Sequence, residues 1–344
     1  LFPNKKNTNT MHKNLLIIGL SITLTSCASR PTTAVNTKKS TLLVTQTKKI
    51  TPKKENNLIK IDNIDFYQVN IADLSKNNNT ISYGSIVSAN PQGYSISKEH
   101  FPSVGQNFRE RFIIIHYTAL DYEKSIKVLT QKNVSAHYLV NDRPDKEIYQ
   151  LVDENKRSYH AGVSHWRNFD NLNDNSIGIE IVNSGFVLNS SGQRQFFPYP
   201  DYQFRKVAAL IKDLATRYMI PPTNILGHSD IAPTRKQDPG PMFPWKKLYD
   251  DYGLGMWYDT SSVQNYITIS NDDIVHQYNS PAFIAKVQKK LKDFGYAINI
   301  TSTWDKDTKK VIQSFQYHFH PSKTDGVLDA ETWAILQSLY DKYK

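Results

Sequence analysis

Cysteine is nearly absent: Cys27 stands alone among 344 residues. One thiol cannot form an intrachain disulfide, so the fold must be held by its core. Acidic residues are nearly missing from the first sixty positions, where Glu55 faces eleven Lys and Arg. The rest of the chain carries 31 basic and 31 acidic residues, so the net charge of +10 belongs to the amino-terminal segment. A neutral folded region disfavours nucleic acid as a partner, because no basic face remains to meet phosphates. A basic tail instead suits an anionic membrane or wall surface within a Debye length. The apolar stretch Leu15–Leu24 falls short of the ~20 residues a membrane-spanning helix needs. His-Glu-x-x-His is missing too, which excludes the common helical metalloprotease arrangement.

What is present starts at Met11; residues 1–10 are set aside as upstream sequence. Lys13 and the short apolar run to Leu24 form a signal segment over 11–27. Leu24-Thr25-Ser26-Cys27 resembles a bacterial lipobox, in which the cysteine is lipidated and becomes the mature terminus. An ordinary signal peptide with an incidental cysteine is the competing reading. The lone cysteine falls at the cleavage position, which favours lipidation. Ala28 after it resembles outer-membrane sorting, so a lipoprotein of the outer membrane facing the periplasm is expected. Residues 28–60, rich in Thr, Lys and Asn, are expected to form a flexible basic tether.

A first domain is expected over 61–252, a linker packed on it over 253–274, and a second unit over 275–344. Ile61–Val69 and Ile81–Val87 are expected strands, with a turn at Asn77-Asn78-Asn79. Phe112-Ile113-Ile114-Ile115 is a continuous apolar run, the pattern of a buried strand, and it delivers His116 at its carboxyl end, where α/β sheets place chemistry. Asp121 caps a helix running to about Gln131. Ser135–Val140 and Glu147–Leu151 flank Asp142-Arg143-Pro144-Asp145-Lys146, a hairpin signal. Ser176–Asn183 is another strand, in which Glu180 sits among apolar neighbours; a carboxylate there is costly unless used or paired. Residues 184–200 read as a polar loop. Residues 201–218 read as a helix with Val207, Leu210, Ile211 and Leu214 on one face. Ile225-Leu226-Gly227 then delivers His228. In the second unit, Ser280-Pro281, Asp305 and the Asp325–Asp329 segment open three successive helices with apolar positions at helical spacing. The fold class is therefore α/β: a mixed central sheet flanked by helices, followed by a small three-helix domain.

Chemistry concentrates in Gly227–Pro241 (GHSDIAPTRKQDPGP). Proline rings forbid a helix through its end, so the loop is stiff and can place His228 and Asp238 ahead of a metal. A structural turn with a surface histidine is the bland alternative. With His116, two imidazoles and one carboxylate make a set suited to zinc, with a fourth position open to water. Glu180 is a candidate general base, and Lys236 a candidate charge for a developing oxyanion.

Phe112–Thr118 (FIIIHYT), Ser176–Glu180 (SIGIE) and Gly227–Gly240 (GHSDIAPTRKQDPG) resemble the zinc-dependent N-acetylmuramoyl-L-alanine amidases of the type 2 family, which also includes the peptidoglycan recognition proteins. The lipid-anchored outer-membrane branch of Gram-negative bacteria is the nearest likeness. The resemblance covers about residues 85–250. It implies zinc bound by His116, His228 and Asp238, with Glu180 and Lys236 as the catalytic pair. It also places His160, in Tyr-His-Ala-Gly, at a substrate-groove position. The phage branch carries a catalytic tyrosine where this chain has Ala136, so the glutamate-type mechanism is the one implied, and His137 is then structural.

Val287-Gln288, Phe294-Gly295-Tyr296, Ser314-Phe315-Gln316 and Asp325–Asp329 resemble the small helical peptidoglycan-binding domain of wall hydrolases. The combined expectation is hydrolysis of the amide between N-acetylmuramic acid and L-alanine, with peptidoglycan and muropeptides as partners and the membrane reached through lipid on Cys27. Deleting 275–344 is expected to weaken wall binding and leave cleavage of small muropeptides. A non-catalytic wall-binding lipoprotein is the rival from another class.

Overall fold

The structure, a computed structural model, describes residues 58–61, 64–67, 92–94 and 107–344. The expected signal segment, Cys27, most of the tether and the strand Ile81–Val87 lie outside the described residues. Strands β1 (Leu58–Ile61) and β2 (Ile64–Tyr67) pair antiparallel in a small unit of their own. The tether expected to 60 therefore ends in a strand, and the strand expected over Ile61–Val69 is shared between two. The four-residue run of β1 is too short to stand out from its lysine-rich surroundings.

The main unit follows in chain order. Strand β3 (Phe112–Tyr117) leads to α1 (Tyr122–Leu129), which Asp121 caps by accepting from the Lys124 N–H. Strands β4 (Tyr138–Val140) and β5 (Ile148–Gln150) form the expected hairpin. Two-residue strands β6 (His165–Trp166) and β7 (Phe169–Asp170) precede β8 (Ser176–Ile181). Where a loop was expected over 184–200, β9 (Phe186–Leu188) and β10 (Arg194–Phe196) form an exposed hairpin around Gly192. Its polar outer residues hide the strand pattern, because only Phe186 and Phe196 turn partly inward. Next come α2 (Asp201–Arg217), β11 (Ile225–Gly227), the single turn α3 (His228–Ile231) and α4 (Trp245–Tyr252). Four longer helices close the chain: α5 (Thr260–Gln277), α6 (Pro281–Phe294), α7 (Lys306–Phe319) and α8 (Ala330–Tyr343). Among the described residues no helix is long and apolar enough to cross a membrane.

The central sheet has the order β11-β3-β8-β4-β5, parallel except for β5 at one edge. It is mixed and flanked by helices, as expected. Parallel register sets His116 beside Glu180 and Phe112 beside Ser176. Side chains alternate along a strand, so Phe112, Ile114, His116, Ser176, Gly178 and Glu180 share one face. On the opposite face Ile113, Ile115, Ile177, Ile179 and Ile181 are fully buried, in one core with Val207, Ile211 and Leu214 of α2. Each such side chain contributes roughly 1.5–3 kcal/mol by leaving water.

The segment expected to be a linker over 253–274 contains most of α5, which lies along α8 rather than on the sheet. Its packing face mixes apolar and polar side chains: Val263 is buried, Tyr266, Ile267 and Ile274 pack against the core, Asp273 accepts from the Trp333 indole and Ser270 from Gln337. Val263, Tyr266, Ile267 and Ile274 recur at helical spacing, but the buried Ser270 and Asp273 break the apolar stripe.

The last three helices pack against the sheet. Their apolar residues share one continuous core with the sheet. Trp166 of β6 stands edge-on to Phe294 and Tyr296, and a Cβ at Gly295 would lie 2.8 Å from its ring. Arg167 donates to the carbonyl of Tyr343 at 2.8 Å. The His318 ring stacks on Trp245 at 3.8 Å between centroids.

Candidate metal centre and catalytic cleft

Three segments distant in sequence bring their ligands together. His116 ends β3, His228 follows β11, which pairs with β3, and Asp238 lies at the end of the proline-rich loop. His116 Nδ1 lies 2.9 Å from His228 Nδ1 and 2.9 Å from Asp238 Oδ2; His228 Nδ1 lies 3.0 Å from the same oxygen. All three residues are buried. The Ser229 N–H donates to the Asp238 carbonyl at 2.8 Å, tying the loop's end to its beginning.

Whether these residues suit a metal depends on which ring nitrogens are free. His228 Nε2 faces the carbonyl of Ala161 at 3.0 Å, so it carries the proton and leaves Nδ1 as a lone pair. His116 is settled by a longer relay. The Ser176 hydroxyl donates to the Leu172 carbonyl, so its oxygen must accept from His160 Nε2, 3.1 Å away. His160 Nδ1 is then an acceptor, 2.9 Å from His116 Nε2, which must donate to it. His116 Nδ1 is thereby left unprotonated. Two lone pairs and a carboxylate oxygen converge with no proton among them, an arrangement that a cation satisfies.

The electrostatics agree. Burial, and next the His228 ring, lowers His116 to about 4, so it is neutral at physiological pH. Burial alone would raise Asp238, but the His228 and His116 rings outweigh it and hold the carboxyl well below the usual carboxylate range. Glu180 is raised to about 8 by burial and then by Asp238, with Lys236 opposing. One Glu180 oxygen, Oε2, is buried with no hydrogen-bond partner. A buried carboxyl with a raised pKa and an unpartnered oxygen is suited to exchanging a proton with substrate.

His116, His160, Glu180, His228, Lys236 and Asp238 all line one open cavity of about 240 Å³. Its other walls come from Thr118, Leu120, Val128, Val134, Ser135 and Tyr159, hydroxyl-bearing and apolar side chains. His160, expected in the substrate groove, reaches this cavity, but its nitrogens are spent on His116 and Ser176. It holds the ring of His116 rather than offering a free donor. Gly178 makes room for it, since a Cβ there would lie 2.5 Å from the imidazole. His137 Nδ1 accepts from the Gly178 N–H and the Ser158 hydroxyl, and its Nε2 donates to the Lys156 carbonyl, so both ring nitrogens are spent on holding chain segments together.

The sequence reading passed over Ser176 and Asp230, although both sit inside the quoted segments. Asp230 is fully buried. Its Oδ2 accepts from the Gly227 N–H at 2.8 Å and lies 2.8 Å from His318 Nδ1, while its Oδ1 accepts from the Tyr296 hydroxyl at 2.8 Å. Helix α7 and the segment after α6 thus grip the turn that presents His228. Nothing in the sequence near Asp230 announces partners 66 and 88 residues away.

Comparison with known proteins places the chain among wall amidases. The N-acetylmuramoyl-L-alanine amidase family model covers residues 106–241, and that of a peptidoglycan binding domain covers 280–336. The chain is 40% identical over 240 residues to N-acetylmuramoyl-L-alanine amidase AmiD of Escherichia coli K12, spanning 68% of this chain and 84% of that protein. It is 42% identical over 107 residues to 1,6-anhydro-N-acetylmuramyl-L-alanine amidase AmpD of Enterobacter cloacae, 31% of this chain and 52% of that one. Among solved structures, AmiD from E. coli in complex with anhydro-N-acetylmuramic acid-L-Ala-D-gamma-Glu-L-Lys superposes with a TM-score of 0.66 at 38% identity, covering 74% of this chain and 97% of that one. AmpDh3 from Pseudomonas aeruginosa gives 0.64 at 37%, covering 75% and 99%.

Proposed function

This chain belongs to the type 2 N-acetylmuramoyl-L-alanine amidase family, and from that premise we propose how its cleft works and where it acts. It hydrolyses the amide bond between N-acetylmuramic acid and the L-alanine that begins the stem peptide, in peptidoglycan or muropeptides. The carrying observation is the proton-free triangle of His116, His228 and Asp238 beside an unpartnered Glu180.

The triangle's two imidazoles and one carboxylate suit zinc over harder cations. When bound, zinc supplies a Lewis acid for the carbonyl and lowers the pKa of water to ~7. Everything else falls to the chain. Glu180 takes a proton from the attacking water and later gives it to the L-alanine nitrogen as the carbon–nitrogen bond breaks. Lys236 places positive charge where the carbonyl oxygen becomes negative. His160 and Ser176 keep His116 in the ligand tautomer.

The carboxyl-terminal helices bind peptidoglycan, and a lipid on Cys27 anchors the chain to the outer membrane on its periplasmic side. The lone cysteine at the end of a short apolar run supports that placement, and the basic tether suits the anionic surface nearby. Cys27→Ser should abolish lipid labelling and release the protein from membrane fractions; unchanged partitioning would refute the anchor.

Activity is tested by mass spectrometry of a defined muropeptide. The parent should release the free stem peptide, and a chelator should stop it until zinc is restored. Asp238→Ala should bind no zinc by elemental analysis and release no peptide. Full zinc occupancy in that variant would overturn the ligand set.

A further inference from the structure

Behind the catalytic loop lies a second cavity of about 190 Å³ that the mechanism does not use. It is lined by Arg194 of β10, by Thr234, Arg235, Lys236 and Gln237 of the loop, and by Lys310 and Tyr317 of α7, among others. Four cations line it, with no carboxylate among the lining residues. None of the four forms an ion pair with a carboxylate among the described residues. Lys310 donates to the Thr234 carbonyl at 2.5 Å, and Arg235 to the carbonyls of Ala161 and Val163 at 2.8 Å, bonds that leave their charge uncancelled. Gln237 adds a buried side-chain oxygen with no partner, ready for an N–H. Lys236 lines both this cavity and the catalytic one, so the two meet at the proposed oxyanion residue.

Cations with an unfilled amide acceptor describe a site for a peptide that carries carboxylates. The substrate is divided in the same way. The muramic acid side of the scissile amide is hydroxylated and uncharged. The stem side is a peptide, and a γ-linked glutamate within it keeps a free α-carboxylate. The catalytic cavity's hydroxyl-bearing and apolar walls suit the first half, and the cationic cavity suits the second.

We propose that this cavity binds the carboxylates of the stem peptide, and that α7 completes it, so that Lys310 and Arg194 set specificity for an acidic stem. The inference rests on the amidase reading of the adjoining cleft. It makes the carboxyl-terminal unit part of the substrate site as well as a wall-binding element.

The test uses the full zinc-loaded chain and two synthetic substrates. One is anhydro-N-acetylmuramoyl-L-Ala-D-γ-Glu-L-Lys with free carboxylates. The other is the same compound with its carboxylates converted to carboxamides. The parent should favour the free acid in kcat/KM by about tenfold or more, the size of one charge-assisted hydrogen bond. In Lys310→Met, and separately in Arg194→Met, that preference should shrink several-fold. A loosened catalytic loop would slow both substrates alike and leave the ratio intact, so the ratio reports the site and not the fold. Equal use of the two substrates by the parent, or an undiminished ratio in both variants, overturns the proposal. Failure of the parent to cleave either substrate would instead overturn the amidase reading.

Discussion

Removing one oxygen atom 66 residues from the metal loop should weaken both the fold and the metal site. Tyr296→Phe deletes only the hydroxyl that donates to Asp230 Oδ1, and both residues are fully buried. Asp230 Oδ2 keeps its contacts to Gly227 and His318, but Oδ1 loses the hydroxyl that donates to it. A hydrogen bond to a charged group contributes roughly 1.5–3 kcal/mol, and that is the expected loss of stability. At about 2–4 °C per kcal/mol for a domain of this size, Tm should fall by roughly 3–12 °C. The same carboxylate fixes the turn that presents His228, so metal affinity should drop as well, within the ~10–100-fold range of outer-shell changes. Urea unfolding of the chelator-treated protein measures the first quantity, and competition with a zinc chelator the second. A stability change within ~0.5 kcal/mol, the scatter of inert surface substitutions, would refute the buried grip. A stability loss with unchanged zinc affinity would show that the grip ends at Asp230 and does not reach the metal. By the same reasoning, deleting 275–344 should yield an unfolded or aggregating chain, because that deletion strips Asp230 of two partners and opens the shared core.

Glu180→Gln should keep zinc and lose ~10²–10⁴-fold in turnover, measured after zinc content is checked; parental turnover would remove Glu180 from the role of base. Lys236→Ala should lower kcat by ~10²–10³-fold with little change in KM, and Lys236→Arg should not fully rescue it. Ser176→Ala breaks the relay behind His116 and should weaken zinc binding by ~10-fold or more, read by chelator competition; unchanged affinity would mean that His160 needs no help in choosing its tautomer. The metal-free chain should also show a pH signature. Glu180, raised to about 8, holds a proton in the native state that the unfolded state has lost above about 4.5, so its contribution falls as pH rises through that window. His116, lowered to about 4, acts in the opposite direction, its contribution rising with pH up to about 6.5. Between 6.5 and 8 only the Glu180 effect remains of these two. Unfolding free energy should therefore fall across that interval in the parent and fall less in Glu180→Gln; equal slopes would refute the buried, protonated carboxyl.

The ligands and the proposed base were readable from the chain because each sits at a point where local pattern stops being ordinary. An all-apolar strand ends in His116, a carboxylate interrupts the apolar run Ser176–Ile181, and proline rings stiffen the loop that carries Asp238. Those are one-dimensional signals, and they come with strand periodicity that also reveals the sheet. The helices of the carboxyl-terminal unit were readable for the same reason: Asp305 and Asp329 cap where a cap was needed, and the apolar positions repeat at helical spacing.

Tertiary structure alone decided what depends on two distant residues meeting. Glu180 stands beside His116 because of the parallel register of β3 and β8, which no local pattern specifies. The tautomer of His116 is set through His160 and Ser176 across three segments of chain. Helix α5 escaped notice because the buried Ser270 and Asp273 interrupt its apolar stripe, and their hydrogen bonds to α8 exist only once the two helices meet. The grip of the carboxyl-terminal unit on the metal loop has the same origin. Local pattern shows that a helix has an apolar face, but which surface that face meets depends on packing between residues far apart in the chain.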